Sequence, residues 1–275
     1  MSIFSGSEII SEIRAALAKT NRDIEACRDH LMHVHNLQHS LIQEVVNLTL
    51  FRRYDELGKD KTFDFEYDNI PVKMFLPTGP DDLIQRDIIW KRSFFHAESL
   101  EMIRELMPMR GERILDIGAY IGNHTVYFSK ICGAAEVESF EPIRASFRAL
   151  SRNVELNQVN AKLHNVGLGA LEKNARATVN SANAGGSSLT PAVDGGIKVV
   201  PLDSLPIEPF RCMKIDVEGM ALEVLQGARE SIQNNRPSIV VEAFPHEYGP
   251  IHGYLESLHY RKIGQTSDDY VYVPE

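Results

Sequence analysis

Along the first part of the chain, apolar residues recur at alternating intervals of three and four. Ile10, Ile13, Leu17, Thr20, Ile24, Cys27, Leu31, Val34, Gln38, Leu41, Val45 and Leu48 fall on successive a and d positions of a heptad, and ten of the twelve are apolar. This spacing lays one narrow stripe along a single helix, which is buried most easily against another helix. No Pro or Gly interrupts it, Ser5-Gly6-Ser7-Glu8 has capping-box spacing, and Gly58 stands where a left-handed residue would stop the helix. Residues 8–57 are thus predicted to form a rod of about 50 residues, roughly 75 Å long at 1.5 Å per residue. A rod of that length cannot pack along a small domain, so the expectation is a coiled coil that joins chains into a homo-oligomer. The alternative is a helix bent back on itself near Asn21 or Asn36, burying the same stripe within one chain.

The period then changes. Residues 62–76 alternate apolar with polar and break at Asp68-Asn69-Ile70-Pro71, the pattern of a β-hairpin. Pro77, Gly79 and Pro80 end it, and a helical period follows from about Asp81 to Met107 with a break near Ser93. This stretch reads as a cover over the next domain, with Trp90, Phe94 and Phe95 in its core. After Pro108, strand-like runs alternate with helix-like ones. Strands are predicted at Arg113–Gly118, ending at Phe140, at Ala161–Val166, Cys212–Asp216 and Ser238–Glu242, and helices at Asn123–Ile131, through about Asn157 and at Ala221–Ser231. A turn-rich insert holds a strand near Ile197–Val200, and a helix near Tyr254 precedes strands at Tyr260–Ile263 and Tyr270–Val273. Repeated βα units force parallel strands with a ligand crevice beyond their carboxyl ends. Asp116, Glu141, Asp216 and Glu242 stand at or near such ends. The organisation expected is a long helix over 1–58, a hairpin and cover helices over 59–108, and an α/β domain over 109–275.

Charge and cysteine content narrow the function classes. With 29 Lys+Arg against 38 Asp+Glu the formal charge is -9, which gives nucleic acid or an anionic membrane no general attraction. The longest apolar stretches are strand-sized and no signal-peptide pattern is evident, so no membrane span and a cytoplasmic location are expected. Cys27, Cys132 and Cys212 are far apart and suggest neither a disulfide framework nor a zinc site. His30, His33, His35 and His39 fall at heptad positions g, c, e and b without acidic partners on that turn, and read as surface histidines.

The turn Asp116-Ile117-Gly118-Ala119-Tyr120-Ile121-Gly122-Asn123-His124-Thr125 carries the chemistry. Glycine lets backbone approach a ligand, and the following helix offers free amides. A dinucleotide fingerprint would need glycine at 120 and 123, where Tyr120 and Asn123 stand. An acidic strand residue followed by Gly-x-x-x-Gly suits S-adenosylmethionine instead, with Asp116 toward its ammonium and Glu141 on the ribose hydroxyls, although Glu141 would serve a dinucleotide equally well.

The strings Ile114-Leu115-Asp116-Ile117-Gly118-Ala119-Tyr120-Ile121-Gly122-Asn123, Phe140-Glu141-Pro142, Asn165-Val166-Gly167-Leu168-Gly169, Gly185-Gly186-Ser187-Ser188-Leu189, Leu202-Asp203-Ser204-Leu205 and Lys214-Ile215-Asp216-Val217-Glu218-Gly219 resemble, in order and spacing, the FkbM-type S-adenosylmethionine-dependent methyltransferases. The resemblance covers roughly residues 81–275. It implies a class I methyltransferase fold: a Rossmann-like, seven-stranded, mostly parallel sheet whose last strand is antiparallel. It also implies O-methylation of a hydroxyl on a sugar, glycan or natural product. Members usually have Asn where this chain has Tyr120, and Glu98 matches an acidic position that approaches the donor's methionine part. The cofactor-binding set implied is Glu98, Asp116, Gly118, Ala119, Gly122, Asn123, Thr125, Glu141 and Pro142.

Methyl transfer to oxygen is an in-line displacement helped by a base near the acceptor hydroxyl. The candidates are Asp216, Glu218, Glu242 and His246, with Asp216 or His246 first; Glu218 also reads as a carboxylate near a helix N-terminus, and His124 as a capping or packing residue. Asp216 with Glu242 has the oxygen chemistry of a Mg²⁺ site, though two carboxylates do not establish one. Ser187 and Ser188 lie in a glycine loop suited to a polar substrate. The competing reading is an inactive methyltransferase-like scaffold that recruits a partner through its coiled coil, and a nicotinamide-dependent oxidoreductase is a third.

Overall fold

The computed structural model describes residues 6–178, 180 and 182–275, so Ser5 of the expected capping box lies outside them. The chain divides into two units, Met1–Arg52 and Arg53–Glu275. The first is built by helix α1, Gly6–Glu56, which runs unbroken through Asn21 and Asn36. The bent-back alternative is therefore not adopted. Both asparagines fit a helix interior, and no Pro or Gly offers a hinge. The heptad stripe faces solvent, with Leu31 67% and Leu48 65% exposed. Thr20 satisfies its hydroxyl within the helix, donating to the Ala16 carbonyl at 3.0 Å. Gly58, at φ +63°, takes the left-handed conformation beyond the helix end.

The second unit opens with the hairpin β1 (Thr62–Tyr67) and β2 (Ile70–Phe75). Its turn is tighter than expected. Asp68 and Asn69 both have positive φ, and Ile70 and Pro71 already pair with Tyr67 and Glu66. Helices α2 (Leu83–Lys91) and α3 (Ala97–Leu106) follow, separated at Arg92 and His96, both left-handed. Phe94 is buried as expected, but Trp90 is 42% exposed beneath Arg53. The α/β alternation then runs β3 (Arg113–Ile117), α4 (Asn123–Lys130), β4 (Glu136–Phe140), α5 (Arg144–Asn157) and β5 (Ala161–His164). The insert is β6 (Gly167–Leu168), β7 (Lys173–Thr178), β8 (Ser188–Pro191) and β9 (Ile197–Val200). The chain closes with β10 (Cys212–Ile215), α6 (Ala221–Gly227), α7 (Arg229–Asn235), β11 (Ser238–Glu242), α8 (Pro245–Ser257), β12 (Tyr260–Gln265) and β13 (Asp269–Pro274).

Among the described residues, seven strands form one sheet in the order β12-β13-β11-β10-β3-β4-β5. The neighbours from β11 through β5 pair in parallel, while β13 runs antiparallel to both β11 and β12. The reversal of connection direction between β3 and β10 opens the crevice that such a sheet reserves for ligands. Beneath it lies a core of Leu115, Ile117, Met213, Ile215, Ile239 and Val241 packed with Val224, Leu225, Ile251 and Leu255. The insert forms a separate sheet, β6-β9-β7-β8.

Three tertiary devices set the frame around the crevice. Asn153 and Asn157, one turn apart on α5, bond both backbone groups of Phe75 and Lys73, so side-chain amides substitute for a third strand beside β2. Asp82 caps α2 through Gln85 N at 2.9 Å and accepts from Ala184 N at 2.7 Å, tying the insert to the cover. The helix expected over Ala221–Ser231 is broken at Ala228. A Cβ on Gly227 would stand 2.0 Å from the Gly169 carbonyl, and Asp203 accepts from both Glu230 N and Ser231 N at 2.8 Å, starting a new helix there. No helix among the described residues is long and apolar enough to cross a membrane.

Candidate active site

The site grows from the end of β3. Gly118, at φ +81°, sits so close to β10 that a Cβ would stand 1.7 Å from the Asp216 carbonyl. Gly118 N and Ala119 N both donate to the Phe140 carbonyl at 3.0 Å, and Tyr120 N donates to Glu141 Oε2 at 2.9 Å, so the end of β4 holds the turn open. Tyr120 is itself left-handed, at φ +49°, a conformation asparagine accepts more readily. Its hydroxyl accepts from Gln85 Nε2 of α2 at 2.8 Å, which fixes the ring against the cover. Gly122, at φ +88°, precedes α4 beneath Leu150.

Two clefts share this turn. One is walled by Phe140, Pro142, Ile143, Val166, Leu168 and Leu189, with Glu141 as its buried carboxyl. The other is lined by Phe95, His96, Asn123, His124, Glu242 and Asp269. Gly118, Tyr120, Gly185, Asp216 and Glu218 border both. An apolar slot therefore continues into a chamber rich in carboxyl groups.

Glu141 accepts from Tyr120 N with one oxygen and from Ile143 N at 2.7 Å with the other, leaving acceptor capacity on each. Burial pushes its pKa up to about 7 despite those bonds. Beneath the turn, Lys214 is 6% exposed, with Nζ 3.0 Å from Asp216 Oδ2, 3.5 Å from Asp116 Oδ1 and 3.2 Å from the Gly118 carbonyl it donates to. Burial opposes its charge, but the carboxylates of Asp216 and Asp116 prevail and raise its pKa. For Asp216 burial is again opposed, by Lys214 and by the proton Glu242 donates, and the carboxyl is held low. Burial and the adjacent Asp216 charge raise Glu242, so the pair keeps one proton, on Glu242. Glu218, left-handed at φ +46°, is pushed up to about 7 by burial and then by Asp216. His124 is lowered to about 3 by burial and by Lys214, and is neutral at physiological pH.

Gly118, Ala119, Asn123, Glu141, Pro142, Asp216, Glu218 and Glu242 thus line the clefts. Asn123 also clamps the Phe95 backbone at 3.0 Å and 3.3 Å. Other expected residues lie elsewhere. Asp116 is fully buried behind the turn, bonded by Thr125 Oγ1 at 2.6 Å and facing Lys214. Thr125 is occupied with Asp116 and Ser139. Glu98 is exposed on a separate cleft with Thr266 and Ser267, because the α3 turn directs it outward. His246 is exposed in the first turn of α8, stacked on Phe244 and lining neither cleft. Ser187 does line the apolar slot beside Gly185, with its hydroxyl bonded to Ala184 O and Asn180 N, whereas Ser188 pairs with Thr178 from β8 and lines neither cleft.

Lys214 and Asp269 were missed as site residues. Lys214 had a signal, a single cation inside the buried strand Cys212–Ile215. Asp269 reaches the chamber only because β13 pairs it with Glu242. Asp216, Glu218 and Glu242 each place an oxygen within 4.8 Å of the others. One of the three, Asp216, is already paired with the Lys214 ammonium at 3.0 Å.

The model of the methyltransferase FkbM domain matches residues 116–262. The chain belongs to the FkbM methyltransferase family. The resemblance drawn from the motifs is thereby borne out, and the match runs from the end of β3 to the start of β12 and includes both glycines of the turn. This FkbM-family chain is similar to Methyltransferase 1 of Beauveria bassiana (strain ARSEF 2860), 26% identical over 179 residues, 54% of this chain and 72% of that one. Among solved structures it is similar to methyltransferase FkbM from Methylobacillus flagellatus KT, with TM-score 0.48, 19% identity, and coverage of 69% of this chain and 52% of that one. It is also similar to the ribosomal protein L11 methylase of Lactobacillus delbrueckii subsp. bulgaricus, with TM-score 0.45, 11% identity, and coverage of 65% and 77%. The chain spans about half the length of the Methylobacillus protein.

Proposed function

We propose that the chain is a class I, S-adenosylmethionine-dependent O-methyltransferase acting on a hydroxyl of a sugar, glycan or natural product, and that copies of it assemble through the coiled-coil stripe of α1. The observation that carries the catalytic reading is the continuity of the apolar slot at Glu141 with the carboxyl chamber at Asp216. The slot fits a nucleoside: apolar walls take a purine, and Glu141, with free acceptor capacity on both oxygens, takes ribose hydroxyls. When bound, S-adenosylmethionine supplies an electrophilic methyl group on a cationic sulfur.

The chain's residues supply position, exclusion of water and proton management. Asp216, ionised and fixed by Lys214, accepts a hydrogen bond from a hydroxyl next to the reacting one and so sets the substrate's place in the chamber, leaving the reacting hydroxyl's proton to point at Glu218. Glu218 is the base. It borders both clefts, stands in a backbone conformation that costs energy for a residue with a side chain, and has a pKa of about 7, matched to proton removal at neutral pH. As the acceptor oxygen gains the methyl group, its proton passes to Glu218. Glu242 keeps its own proton and donates it in a hydrogen bond to Asp216, which stops two carboxylates from repelling each other beside the reacting oxygen.

The test is incubation of the full chain with methyl-labelled S-adenosylmethionine and a panel of neutral polyols, amines and carboxylates. Label in an ether product supports the reading. Label confined to amines or carboxylates refutes oxygen as the acceptor.

A further inference from the structure

The stripe on α1 carries more information than its apolarity. Its a and d residues are exposed from Ile10, 55%, to Leu48, 65%, along a helix with no break. We propose that the occupant is a second copy of this chain, paired as a parallel, in-register, two-stranded coiled coil in which Cys27 faces the partner's Cys27. This rests on the assembly of copies proposed above and adds orientation, register and number of strands to it; it does not depend on methyl transfer.

Charge complementarity decides the orientation. In a parallel pair each g residue meets the e residue five positions later on the other helix. Asp23 then meets the partner's Arg28, twice by symmetry, and Leu37 meets the partner's Ile42 to widen the apolar seam. In an antiparallel pair of full overlap, e meets e and g meets g. Arg28 then lies against the partner's Arg28, and no pair of opposite charge forms.

Gln38 sets the register. At an a position of a parallel pair its amide is satisfied across the seam by the partner's Gln38, and a shift of one heptad would bury it against Leu31 or Val45. Ile10, Ile24 and Val45 at a with Leu41 and Leu48 at d follow the two-stranded pattern while Leu17 and Leu31 at a with Ile13 and Val34 at d do not, so the number of strands is read from the polar Gln38 pair, which two facing amides satisfy.

Register places the Cys27 thiols, at d, on opposite sides of the axis within the geometry a disulfide accepts. Cys132 and Cys212 are buried, so Cys27 is the thiol open to reaction. The full chain is examined by sedimentation equilibrium, then treated with diamide, which takes up the two protons and two electrons released as two thiols become one disulfide. A dimer is expected, covalently linked on a non-reducing gel and unlinked in Cys27→Ser. A Cys27→Ser, Ser40→Cys variant, with its thiol at the outward c position, should link at least about tenfold more slowly, since only facing thiols share a high effective concentration. A monomer or a trimer overturns the pairing. A dimer that resists linkage, or one in which Ser40→Cys links as fast, overturns the parallel register alone.

Discussion

Replacing Lys214 with methionine removes the cation that three groups share. At 3.0 Å from Asp216 Oδ2, and with an effective dielectric near 20, its attraction for that carboxylate is about 5.5 kcal/mol, a factor of about 10⁴ in proton affinity. Asp116 Oδ1, which has no hydrogen-bond partner among the described residues, loses the counter-charge that Lys214 supplies at 3.5 Å. Breaking a buried pair from one side costs about 3–5 kcal/mol, or roughly 6–20 °C in Tm for a domain of this size. The pH dependence should change sign as well. In the native protein Asp216 is held below its ordinary 3.8, so its contribution is present above that value and lost as pH falls toward the folded pKa. Without Lys214 its folded pKa lies above 3.8, so stability is present at low pH and lost as pH rises. Thermal unfolding followed by circular dichroism from pH 4 to 8 reads both effects. Lys214→Met should be the less stable protein at pH 8 and recover toward pH 5, and Lys214→Arg should lie between. A variant that cannot be isolated at pH 8 but folds at pH 5 gives the same answer. Unchanged Tm with an unchanged slope would refute the account of a buried cation holding Asp216 ionised.

Three further predictions concern the site. Native kcat at saturating S-adenosylmethionine, where the pH dependence of donor binding at Glu141 drops out, should rise with pH to a plateau above about 7, because Glu218, raised to about 7, must lose its proton to act; Glu218→Gln should lose that limb and about 10² to 10⁴ in kcat while still binding S-adenosylhomocysteine, and a retained limb in kcat counts against Glu218. Glu141 is raised from 4.5 to about 7, so its contribution to stability is present below 4.5 and is lost as pH rises through 7, on the order of 3 kcal/mol. Chemical denaturation of Glu141→Gln should lack that slope, and the native affinity for S-adenosylhomocysteine should tighten about tenfold from pH 6 to 8 as the carboxylate forms; equal slopes in both proteins would contradict it. Turnover should be indifferent to EDTA, whereas loss restored by Mg²⁺ would place an ion among Asp216, Glu218 and Glu242.

Much of the fold is legible because period and topology leave few choices. Continuous apolar runs such as Ile114-Leu115 and Ile239-Val240-Val241, separated by helical periods, specify parallel strands, and the strand ends then bring Glu141, Asp216 and Glu242 to one crevice. The insert is not legible in the same way. β7, Lys-Asn-Ala-Arg-Ala-Thr, carries little apolar alternation, and its sheet is set by pairing with β8 and β9. The break at Ala228 follows no local preference; it comes from the Gly169 backbone and the Asp203 carboxylate, both distant in sequence. Site residues divide along the same line. Those at strand ends are aimed by the sheet, whereas Glu98 and His246 sit in first turns of helices whose rotation is set by packing, and both face away.

The central claim is that the slot beside Gly118 and Glu141 holds a sulfonium nucleoside. Isothermal calorimetry of the full chain with S-adenosylmethionine, S-adenosylhomocysteine and NAD measures it directly. One site per chain for the first two and no heat with NAD is the predicted result. Saturable binding of NAD, or no binding of either sulfur nucleoside, would contradict it.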